Sequence, residues 1–471
     1  MQKHDLQEIL SPVGQGHLLR FWDELNQTQQ QNLASQIAAQ DWPKIVSWVR
    51  QALGNEQLPI PFSQLQPAPY LPLQPSNAAE KKLYADARER GRQLLSAGVV
   101  AAFTVAGGQG TRLGFDGPKG TYAFTPLRQA SLFQFFAESI ARYQEKYQAL
   151  FPWYIMTSPA NDLPTRQFFE QHAFFGLEPE NVCFLQQGTL PAFDFQGKAL
   201  LAGKDCLALS ANGHGGSFAA LHDSGALQDM QQRGVKYLSY WQVDNPLVTL
   251  FDPLFLGLHE ITASEMSSRA LIKRDYQEKL GHFCLLDGKT MVVEYSDMPL
   301  QLLQQTDSGQ RLRFRAGSPA IHILSCDFIR RLTTGRSDFQ PHRADKKVPC
   351  IAADGSVVTP AAANAIKLEF FLFDAITLAQ KPLILAADRE EQFAPIKNAA
   401  GEDSPQSCRD ALLSRSLRWL QQSGVPVPCQ QDGTAPVKLE ISPRLAVEPS
   451  DLAPHAQRLS ALRPDSELIL E

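Results

Sequence analysis

The strongest constraint on the fold is a buried strand that runs directly into a glycine-rich loop. Val99 to Val105 are almost all apolar or small, which predicts a strand covered on both faces. The next residues read AGGQGTRLGFDGPKG, and Ser131-Leu-Phe-Gln134 then has the form of a capping box opening an amphipathic helix toward Gln148. Strand, loop and helix in this order form a βα unit, so we predict an α/β fold with a mostly parallel sheet.

The chain continues this alternation of strands and helices, and the regions before and after it differ in residue composition. Residues 1 to about 50 carry apolar residues at helical spacing, and the proline-rich stretch Leu58 to Pro75 predicts an extended linker. Val425 to Ile441 predicts a small C-terminal β unit. We also predict helices from Ala78 to Ala97 and Leu163 to Gln171, and strands at Trp153 to Thr157, Val182 to Gln186 and Val235 to Val243. The predicted domains are 1–97 (helical region with the linker), 98–400 (catalytic) and 401–471 (C-terminal).

Composition excludes several classes of protein. The formal net charge is −5, and no basic run is longer than a pair such as Lys346-Lys347, so we expect neither nucleic acid nor an anionic membrane as a partner. No apolar stretch approaches the roughly 18 residues of a membrane span, and the N-terminus lacks the apolar core of a secretion signal. The seven cysteines are scattered without a CxxC motif, as expected of thiols in a reducing compartment. We therefore expect a cytoplasmic protein, with its oligomeric state open.

The glycine-rich loop has the composition of a phosphate-binding site. Glycines let backbone N–H groups approach phosphate oxygens, and two cations at fixed offsets neutralise phosphate charge. The loop supplies Gly107, Gly108, Gly110, Gly114, Arg112 and Lys119. A dinucleotide-binding fingerprint would need glycine at Leu113, and the Gly-Lys-Ser/Thr of a P-loop is missing. A glycine-rich surface turn is the alternative.

The sequence GGQGTRLG followed by PKG resembles the sugar nucleotidyltransferases, specifically the eukaryotic-type UDP-N-acetylhexosamine pyrophosphorylases. The resemblance covers roughly residues 80 to 445 and implies a Rossmann-like, GT-A-like nucleotidyltransferase core. Its further motifs appear in the family's order: Met156-Thr-Ser158, Gln186 to Phe193, Asn212 to Gly216, Val243 to Val248, Val293 to Ser296, His342 to Pro349, Ile366 to Glu369, Phe393 to Asn398 and Asp403-Ser404.

Two glutamines are candidates for recognition of uracil. Gln186 and Gln187 end a predicted strand, and an amide can pair with the imide edge of uracil, although a glutamine can also simply cap a strand end. The resemblance implies that such a Gln selects uridine together with glycine backbone. The predicted UTP-binding residues are Gly107, Gly108, Gly110, Thr111, Gln186, Gln187 and Gly213.

Asp244 is the candidate metal ligand. It follows an apolar run, so it should project from the carboxyl end of a strand, where α/β sheets bind ligands, unless it merely starts a turn. The resemblance assigns it Mg²⁺, with Mn²⁺ as the alternative metal, and assigns Lys397 to the triphosphate; Lys397 could also be an ordinary solvated lysine. Arg112, Lys119 and Lys397 are the predicted catalytic cations.

The acceptor pocket is predicted from the resemblance, with two departures from it. Glu294 and Tyr295 suit the rim of a sugar pocket, and the resemblance places Phe371 and Phe373 against an N-acetyl methyl group, although aromatics are more often core residues. His214 stands where the family usually has Asn, and Ser318 where it has the Asn of Gly-Asn-Ile. The predicted sugar-binding residues are His214, Gly215, Asn245, Glu294, Tyr295, Ser318, Phe371 and Phe373. His342, Lys346 and Lys347 form a basic cluster with a weaker claim.

The implied reaction joins UTP to N-acetylglucosamine 1-phosphate with release of pyrophosphate. A sugar phosphate is already ionised at neutral pH, so no general base is expected and catalysis consists of positioning and charge neutralisation. Two alternatives remain open at this point: a UDP-glucose or broad-specificity UDP-sugar pyrophosphorylase, and a non-catalytic sugar-nucleotide sensor.

Overall fold

A computed structural model of the chain describes residues 1–54, 60–334, 339–427, 437–456 and 467–471. The helices are α1 Lys3–Leu10, α2 Gln27–Ala38, α3 Trp42–Leu53, α4 Ala78–Ser96, α5 Leu132–Tyr147, α6 Asp162–Gln171, α7 Ser217–Asp223, α8 Ala226–Gln232, α9 Pro253–Ile261, α10 Leu300–Leu303, α11 Cys326–Thr334, α12 Arg389–Gln392 and α13 Pro405–Gln422.

The strands run between short loops and 3₁₀ turns. They are β1 Gln66–Pro67, β2 Val100–Val105, β3 Trp153–Thr157, β4 Val182–Gln186, β5 Thr189–Pro191, β6 Leu201–Gly203, β7 Cys206–Leu207, β8 Leu209–Ala211, β9 Tyr237–Gln242, β10 Met266–Ile272, β11 Gly281–Leu286, β12 Lys289–Val293, β13 Ala316–Ser318, β14 His322–Ser325, β15 His342–Lys346, β16 Cys350–Ile351, β17 Val357–Val358, β18 Ala365–Glu369, β19 Leu383–Ala386, β20 Lys438–Ile441 and β21 Glu467–Leu470.

The chain divides into two compact units that do not follow sequence order. The first unit contains Met1–Pro61, Gln187–Ala219 and Arg336–Asp374, and the second contains Phe62–Gln186, Ala220–Gly335 and Ala375–Glu471. The boundaries of these units differ from the domain boundaries predicted at residues 97 and 400, and the predicted domains stay predictions.

The second unit is built on a sheet of eleven strands. Its main path runs β1-β11-β13-β10-β14-β9-β2-β3-β4, with β12 beside β11 and β19 beside β10. The pairs in β9-β2-β3-β4 are parallel, as is β10–β19, and the other pairs are antiparallel. The predicted α/β architecture is confirmed, and the sheet is mixed, with its run of consecutive parallel strands in β9-β2-β3-β4 around the start of the glycine-rich loop.

Helix α5 covers this parallel half and illustrates one error in the sequence prediction. Its apolar side chains, including Phe133 and Phe136, are fully buried in the same core as Trp153 of β3. Ser131 caps the helix by accepting from the backbone N–H of Gln134 at 3.1 Å. The reciprocal half of the predicted capping box does not form, because the Gln134 amide donates to Glu138 one turn later.

The first unit begins with the predicted helical region. Apolar residues of α1, α2 and α3, among them Leu33, Ile37 and Trp42, are buried in one cluster with Phe193 and Ile366 of the same unit. Two-stranded ladders β5–β8, β6–β7, β15–β18 and β16–β17 complete this unit. Part of the predicted linker, residues 55–59, lies outside the described residues.

The predicted C-terminal β unit is a parallel pair, β20 with β21. Its core joins Leu439 and Leu470 to Trp419 and Leu420 of α13. Residues 428–436 of the predicted β segment lie outside the described residues.

Candidate functional site

The carboxyl ends of the parallel strands bring the phosphate-binding candidates to one edge of the sheet in the second unit. β2 leads into the glycine-rich loop, β4 ends at Gln186, and β9 ends two residues before Asp244. The backbone N–H of Val243 donates to the carbonyl of Val105 at 3.1 Å, which joins the Asp244 turn to the start of the loop. This edge is where open α/β sheets bind ligands.

The glycine-rich loop folds back on itself as a tight hairpin. Lys119 N–H donates to Gly108 O at 3.1 Å, and Gly110 N–H donates to Gly117 O at 2.9 Å. Gly120 is required at the end of the loop, because a Cβ there would lie 2.1 Å from the Phe133 ring. The hairpin therefore fixes where Lys119 leaves the backbone.

Backbone donors on the outer side of this hairpin are unused. The N–H groups of Gly107 and Gly108 form no hydrogen bond to other described residues, and Gly108 is exposed. Thr111 and Arg112 are also exposed, and the Arg112 guanidinium makes no ion pair or hydrogen bond with the part of the chain that the structure describes. These groups have the arrangement required to receive phosphate oxygens.

Asn161 tethers the loop and was missed in the sequence prediction. Its amide Nδ2 donates to Ala106 O at 2.9 Å and its Oδ1 accepts from the backbone N–H of Ser158 at 2.7 Å. The side chain is fully buried. It follows the Met156-Thr-Ser158 motif by three positions, so proximity to that motif was the available signal.

Lys119 and Asp244 are brought together at the sheet edge. Lys119 Nζ lies 3.6 Å from Asp244 Oδ2, and the two side chains are only 16% and 13% exposed. Lys119 Nζ also donates to the carbonyl of Ile396 at 3.2 Å, while the N–H of Ile396 donates to Asp244 O at 2.8 Å. A segment far along the chain is thus built into the same site.

Lys397 directly follows this anchor and lies within a compact turn. Its Nζ is 3.9 Å from Asp403 Oδ2 and 5.6 Å from the centre of the Phe393 ring. The backbone N–H of Lys397 donates to the carbonyl of Asp403 at 2.6 Å. Burial raises the pKa of Asp403, and the neighbouring charge of Asp244 adds to that effect.

Asn245 has a different geometry from the one expected of a sugar contact. Its side chain is 3% exposed, its Nδ2 donates to Gln392 O at 2.8 Å, and its Oδ1 accepts from Ala394 N–H at 3.1 Å. Both ends of the amide therefore hold the segment that leads to Lys397. Sugar binding by Asn245 stays a prediction, while its anchoring contacts are observed.

Glu294 and Ser318 are placed on one face of the sheet by strand register. Ser318 of β13 pairs with Gly281 of β11. Glu294 lies against the same glycine, because a Cβ on Gly281 would be 3.4 Å from Glu294 Oε1. The Ser318 Oγ is buried and has no hydrogen-bond partner among the described residues. The neighbouring Tyr295 is 40% exposed, as expected of a residue at a pocket rim.

The uracil candidates fall in different surroundings. Gln186, in the second unit, donates its amide to Asp162 at 2.9 Å. Gln187, in the first unit, is 7% exposed and donates to the carbonyl of Gly213 at 2.6 Å. The structure therefore brings Gln187 and Gly213 together, and the choice between the two glutamines stays a prediction.

His214 lies in an aromatic cluster of the first unit. Its ring is 5.5 Å from the ring of Phe371 and 5.6 Å from that of Phe373, centre to centre. Its Nδ1 accepts from the N–H of Leu372 at 3.1 Å, so the neutral ring carries its proton on Nε2. Burial, and secondarily the charge of His342, lowers the pKa of His214 to about 4.

Backbone contacts hold the glycines next to this histidine. Gly215 N–H donates to Phe370 O at 2.8 Å, and a Cβ on Gly213 would come within 2.4 Å of the same carbonyl. His342 Nε2 lies 2.8 Å from Asp374 Oδ2 at the edge of the cluster. The predicted residues His214, Gly215, Phe371 and Phe373 thus form one group.

Within the described ranges, no group of three or more His, Cys, Asp or Glu is arranged to hold a metal ion. No helix in this part of the chain is both long and apolar enough to cross a membrane.

Comparison with known proteins covers nearly the whole chain. The family model described as UTP–glucose-1-phosphate uridylyltransferase matches residues 64–442. The chain is 35% identical over 439 residues to mouse UDP-N-acetylhexosamine pyrophosphorylase-like protein 1, covering 90% of this chain and 86% of that protein. It is 33% identical over 470 residues to UDP-N-acetylglucosamine pyrophosphorylase of Saccharomyces cerevisiae, with 95% and 96% coverage. The inhibitor complex of the Trypanosoma brucei UDP-N-acetylglucosamine pyrophosphorylase superposes with a TM-score of 0.86 at 26% identity, over 100% and 98% of the two chains.

Proposed function

Because the chain belongs to the UTP–glucose-1-phosphate uridylyltransferase family, we propose that it joins UTP to N-acetylglucosamine 1-phosphate, giving UDP-N-acetylglucosamine and pyrophosphate. The family predicted from the glycine-rich loop is confirmed. The main support for this reaction is that Lys119, Asp244 and the Ile396-Lys397 turn meet at one edge of the sheet. The backbone N–H groups of the glycine-rich loop that have no hydrogen-bond partner belong to the same edge.

The phosphate groups of UTP bind along the glycine-rich hairpin. Gly107 and Gly108 donate backbone N–H groups, and Arg112 and Lys119 supply positive charge from the two ends of the loop. Lys397 moves from Asp403 to the same phosphates. Little energy is lost in this movement, because the 3.9 Å ion pair between Lys397 and Asp403 joins two partly exposed side chains and is weak. These cations neutralise the charge that develops on the leaving pyrophosphate.

Asp244 fits a magnesium ion. Its carboxylate has a single cationic neighbour within ion-pair distance in the described residues, Lys119, and it stands at the ligand-binding edge of the sheet. Asp244 would hold the ion, which would supply charge neutralisation for the reacting phosphates when bound. Mn²⁺ has the same oxygen preference and substitutes in this proposal.

The chemical step is an in-line displacement at the α-phosphorus. UTP binds first, and an oxygen of the sugar phosphate then forms the new P–O bond while the bond to the β-phosphate breaks and pyrophosphate leaves. The chain needs no nucleophile or general base for this step, and His214 is unsuited to be one because its ring is neutral with Nδ1 already accepting a hydrogen bond. The residues position the reactants and balance charge.

Each of the two units contains residues with the chemistry to bind an acceptor sugar. In the second unit, Glu294 accepts from sugar hydroxyls and the unpartnered Oγ of Ser318 gains a partner. In the first unit, His214 donates from Nε2, and Phe371 and Phe373 cover the N-acetyl methyl group. An apolar aromatic surface favours an acetylated sugar over glucose by an amount comparable to one or two buried methyl groups, about 1–2 kcal/mol.

Pyrophosphate release tests the proposal directly. The purified chain is incubated with UTP, Mg²⁺ and one of three acceptors: the 1-phosphates of N-acetylglucosamine, N-acetylgalactosamine or glucose. We expect the highest kcat/KM with N-acetylglucosamine 1-phosphate. A higher value with glucose 1-phosphate would replace the proposal by a UDP-glucose pyrophosphorylase, and no release with any sugar would identify a sensor.

A cytoplasmic location belongs to the same proposal. The cysteines of the described ranges, Cys183, Cys206, Cys284, Cys326, Cys350 and Cys408, are all free thiols. Free thiols are typical of proteins kept in a reducing compartment.

A further inference from the structure

A second cation shares an aromatic ring with Lys397. Arg389 is the first residue of α12, and its guanidinium lies 5.9 Å from the centre of the Phe393 ring. Lys397 Nζ lies 5.6 Å from the centre of the same ring. Both distances are within the range of a cation–π contact. We propose that Arg389 is a positioning residue for Lys397, a role that rests on the proposed function.

Arg389 is itself held in place by Glu278. Its Nη2 lies 2.6 Å from Glu278 Oε1, and the two side chains are only 16% and 18% exposed. The other oxygen of Glu278 accepts from the backbone N–H of Arg274 at 3.0 Å. An ion pair with little solvent around it is screened less than a pair on the surface. The guanidinium therefore has a defined position beside the Phe393 ring.

The Phe393 ring links Arg389 to Lys397. The backbone N–H of Phe393 donates to the carbonyl of Arg389 at 2.9 Å, which closes the turn of α12. The ring packs on an apolar cluster that contains Leu280, at the end of the loop that carries Glu278. A ring fixed by these contacts presents a defined surface to the Lys397 ammonium.

The backbone of this segment is fixed independently of the guanidinium. The Asn245 amide bonds to the residues on either side of Phe393, and the N–H of Ile396 donates to Asp244 O at 2.8 Å. Loss of the Arg389 side chain would therefore free the ring, while the backbone stays attached to the segment that follows β9.

Arg389 also acts on the carboxylate that holds Lys397. Burial lowers the pKa of Arg389, and the charges of Glu278 and, less strongly, Asp403 oppose that effect. Asp403 is the partner that Lys397 leaves for the phosphates in the proposed reaction. The charge of Arg389 still acts on Asp403 after Lys397 has moved, so it makes the movement less unfavourable.

The test is a double-mutant cycle between Arg389 and Lys397. Arg389→Met should lower kcat/KM for UTP about tenfold and leave the KM for the sugar 1-phosphate within about twofold. In a chain that already carries Lys397→Met, adding Arg389→Met should lower kcat/KM for UTP by less than about twofold, because a residue that acts through Lys397 has nothing left to position. Losses that multiply would mean that Arg389 acts independently of Lys397 and would overturn the proposal.

Two variants of the ion pair and one control complete the kinetic test. Arg389→Lys keeps a cation beside Phe393 and should recover part of the loss. Glu278→Gln loosens the guanidinium, so it should give a smaller loss that also disappears in the Lys397→Met background, and it serves if Arg389→Met fails to fold. Arg274→Met, an exposed arginine of the same loop, should have wild-type kinetics. An unchanged kcat/KM for UTP, or equal increases in both KM values, would overturn the proposal.

Binding of inorganic pyrophosphate gives a readout without turnover. It should raise the melting midpoint of the wild type and of Arg274→Met, and it should raise that of Arg389→Met less. In the Lys397→Met background, Arg389→Met should leave the shift unchanged. An equal shift in all proteins, or none in the wild type, would overturn the inference. The expected pattern would support it even if the wild type released no pyrophosphate with any sugar, so failure of the proposed function is distinguishable from failure of this inference.

Discussion

The ammonium of Lys119 lies 3.6 Å from the carboxylate of Asp244, so the cation of the glycine-rich loop and the carboxylate at the end of β9 hold each other in place. Both are largely buried, and both contact Ile396: Lys119 donates from its side-chain Nζ to the Ile396 carbonyl, and the backbone carbonyl of Asp244 accepts from the Ile396 N–H. Loss of either side chain would therefore change the charge balance of the site and keep the backbone bond from Ile396 to Asp244, while loss of the Lys119 side chain would also remove its bond to the Ile396 carbonyl.

Lys119→Met and Asp244→Asn should each lower kcat by about 10²–10³, the range seen when one preorganised charge is removed from a phosphoryl-transfer or oxyanion site. Melting midpoints should stay within a few degrees of the wild type, since both variants keep the backbone bond from Ile396 to Asp244 and Lys119→Met loses one hydrogen bond to the Ile396 carbonyl. Lys81→Met, on the exposed face of α4, is the control and should be fully active. Near-normal turnover in both site variants would refute the assigned roles.

Asn161→Ala should loosen the glycine-rich loop. The substitution removes the partners of the Ser158 N–H and the Ala106 carbonyl, and each buried group left unsatisfied costs about 1–3 kcal/mol. We expect a lower free energy of unfolding and a higher KM for UTP, with the KM for the sugar phosphate little changed. Ser158→Ala keeps the backbone donor and removes only the 3.0 Å bond from Ser158 Oγ to Asn161 Oδ1, so its losses in both assays should be smaller than those of Asn161→Ala. Equal UTP affinity in wild type and Asn161→Ala would show that the tether does not shape the loop.

Two glycines of the loop should respond to alanine in opposite ways. A Cβ at position 120 would overlap the ring of Phe133, so Gly120→Ala should destabilise the protein by about 3 kcal/mol. A Cβ at position 108 meets nothing within 4 Å, so Gly108→Ala should keep its stability. Its methyl group would nevertheless stand beside the unused donors and should raise the KM for UTP roughly tenfold, a change of about 1.4 kcal/mol. Chemical denaturation and initial-rate kinetics separate the two effects.

Acid should destabilise the protein partly through His214. Its pKa is about 4 in the folded state, against an ordinary value of 6.5, so the unfolded chain binds the extra proton first as the pH falls. The stability associated with the neutral ring is complete above about pH 6.5 and is lost progressively as the pH falls toward 4, with a slope of at most about 1.4 kcal/mol per pH unit.

His214→Asn removes this proton and should flatten the pH dependence of the unfolding free energy between pH 4 and 6.5. The amide still offers a hydrogen-bond donor, so the KM for the sugar phosphate should rise much less than in His214→Ala. An unchanged pH slope in His214→Asn would mean that the histidine is not held neutral.

Local pattern was sufficient to predict the strands that position the site. Trp153–Thr157 and Val182–Gln186 were predicted with the bounds that the structure has, because each is a short apolar run closed by polar residues. Helix α4 was also predicted to within one residue. The glycine-rich loop identified Lys119 as a candidate, the end of a predicted strand identified Asp244, and the family resemblance identified Lys397. The structure brings Lys119 and Asp244 together, and the roles of all three stay predictions.

Side-chain partners could not be predicted in the same way, because they depend on contacts distant in sequence. The Asn245 amide is occupied by Gln392 and Ala394, which no local pattern around Asn245 reveals. Lys273 looks like any loop lysine in the sequence, and its burial against His282 appears only when β10 and β11 are folded. Similarly, the Gln134 amide donates to Glu138 and does not form the reciprocal capping contact that the sequence pattern predicted.

The backbone bond from Ile396 to Asp244 also sets when the phosphate site can be completed during synthesis. The glycine-rich loop and the Asp244 strand leave the ribosome well before the Ile396-Lys397 turn does, and domains generally fold as their chain emerges. Until that turn arrives, the growing chain lacks both the carbonyl that accepts from Lys119 and the cation at position 397. A nascent chain halted before Ile396 should therefore be unable to retain UTP, so nucleotide capture marks a late event in the production of this protein.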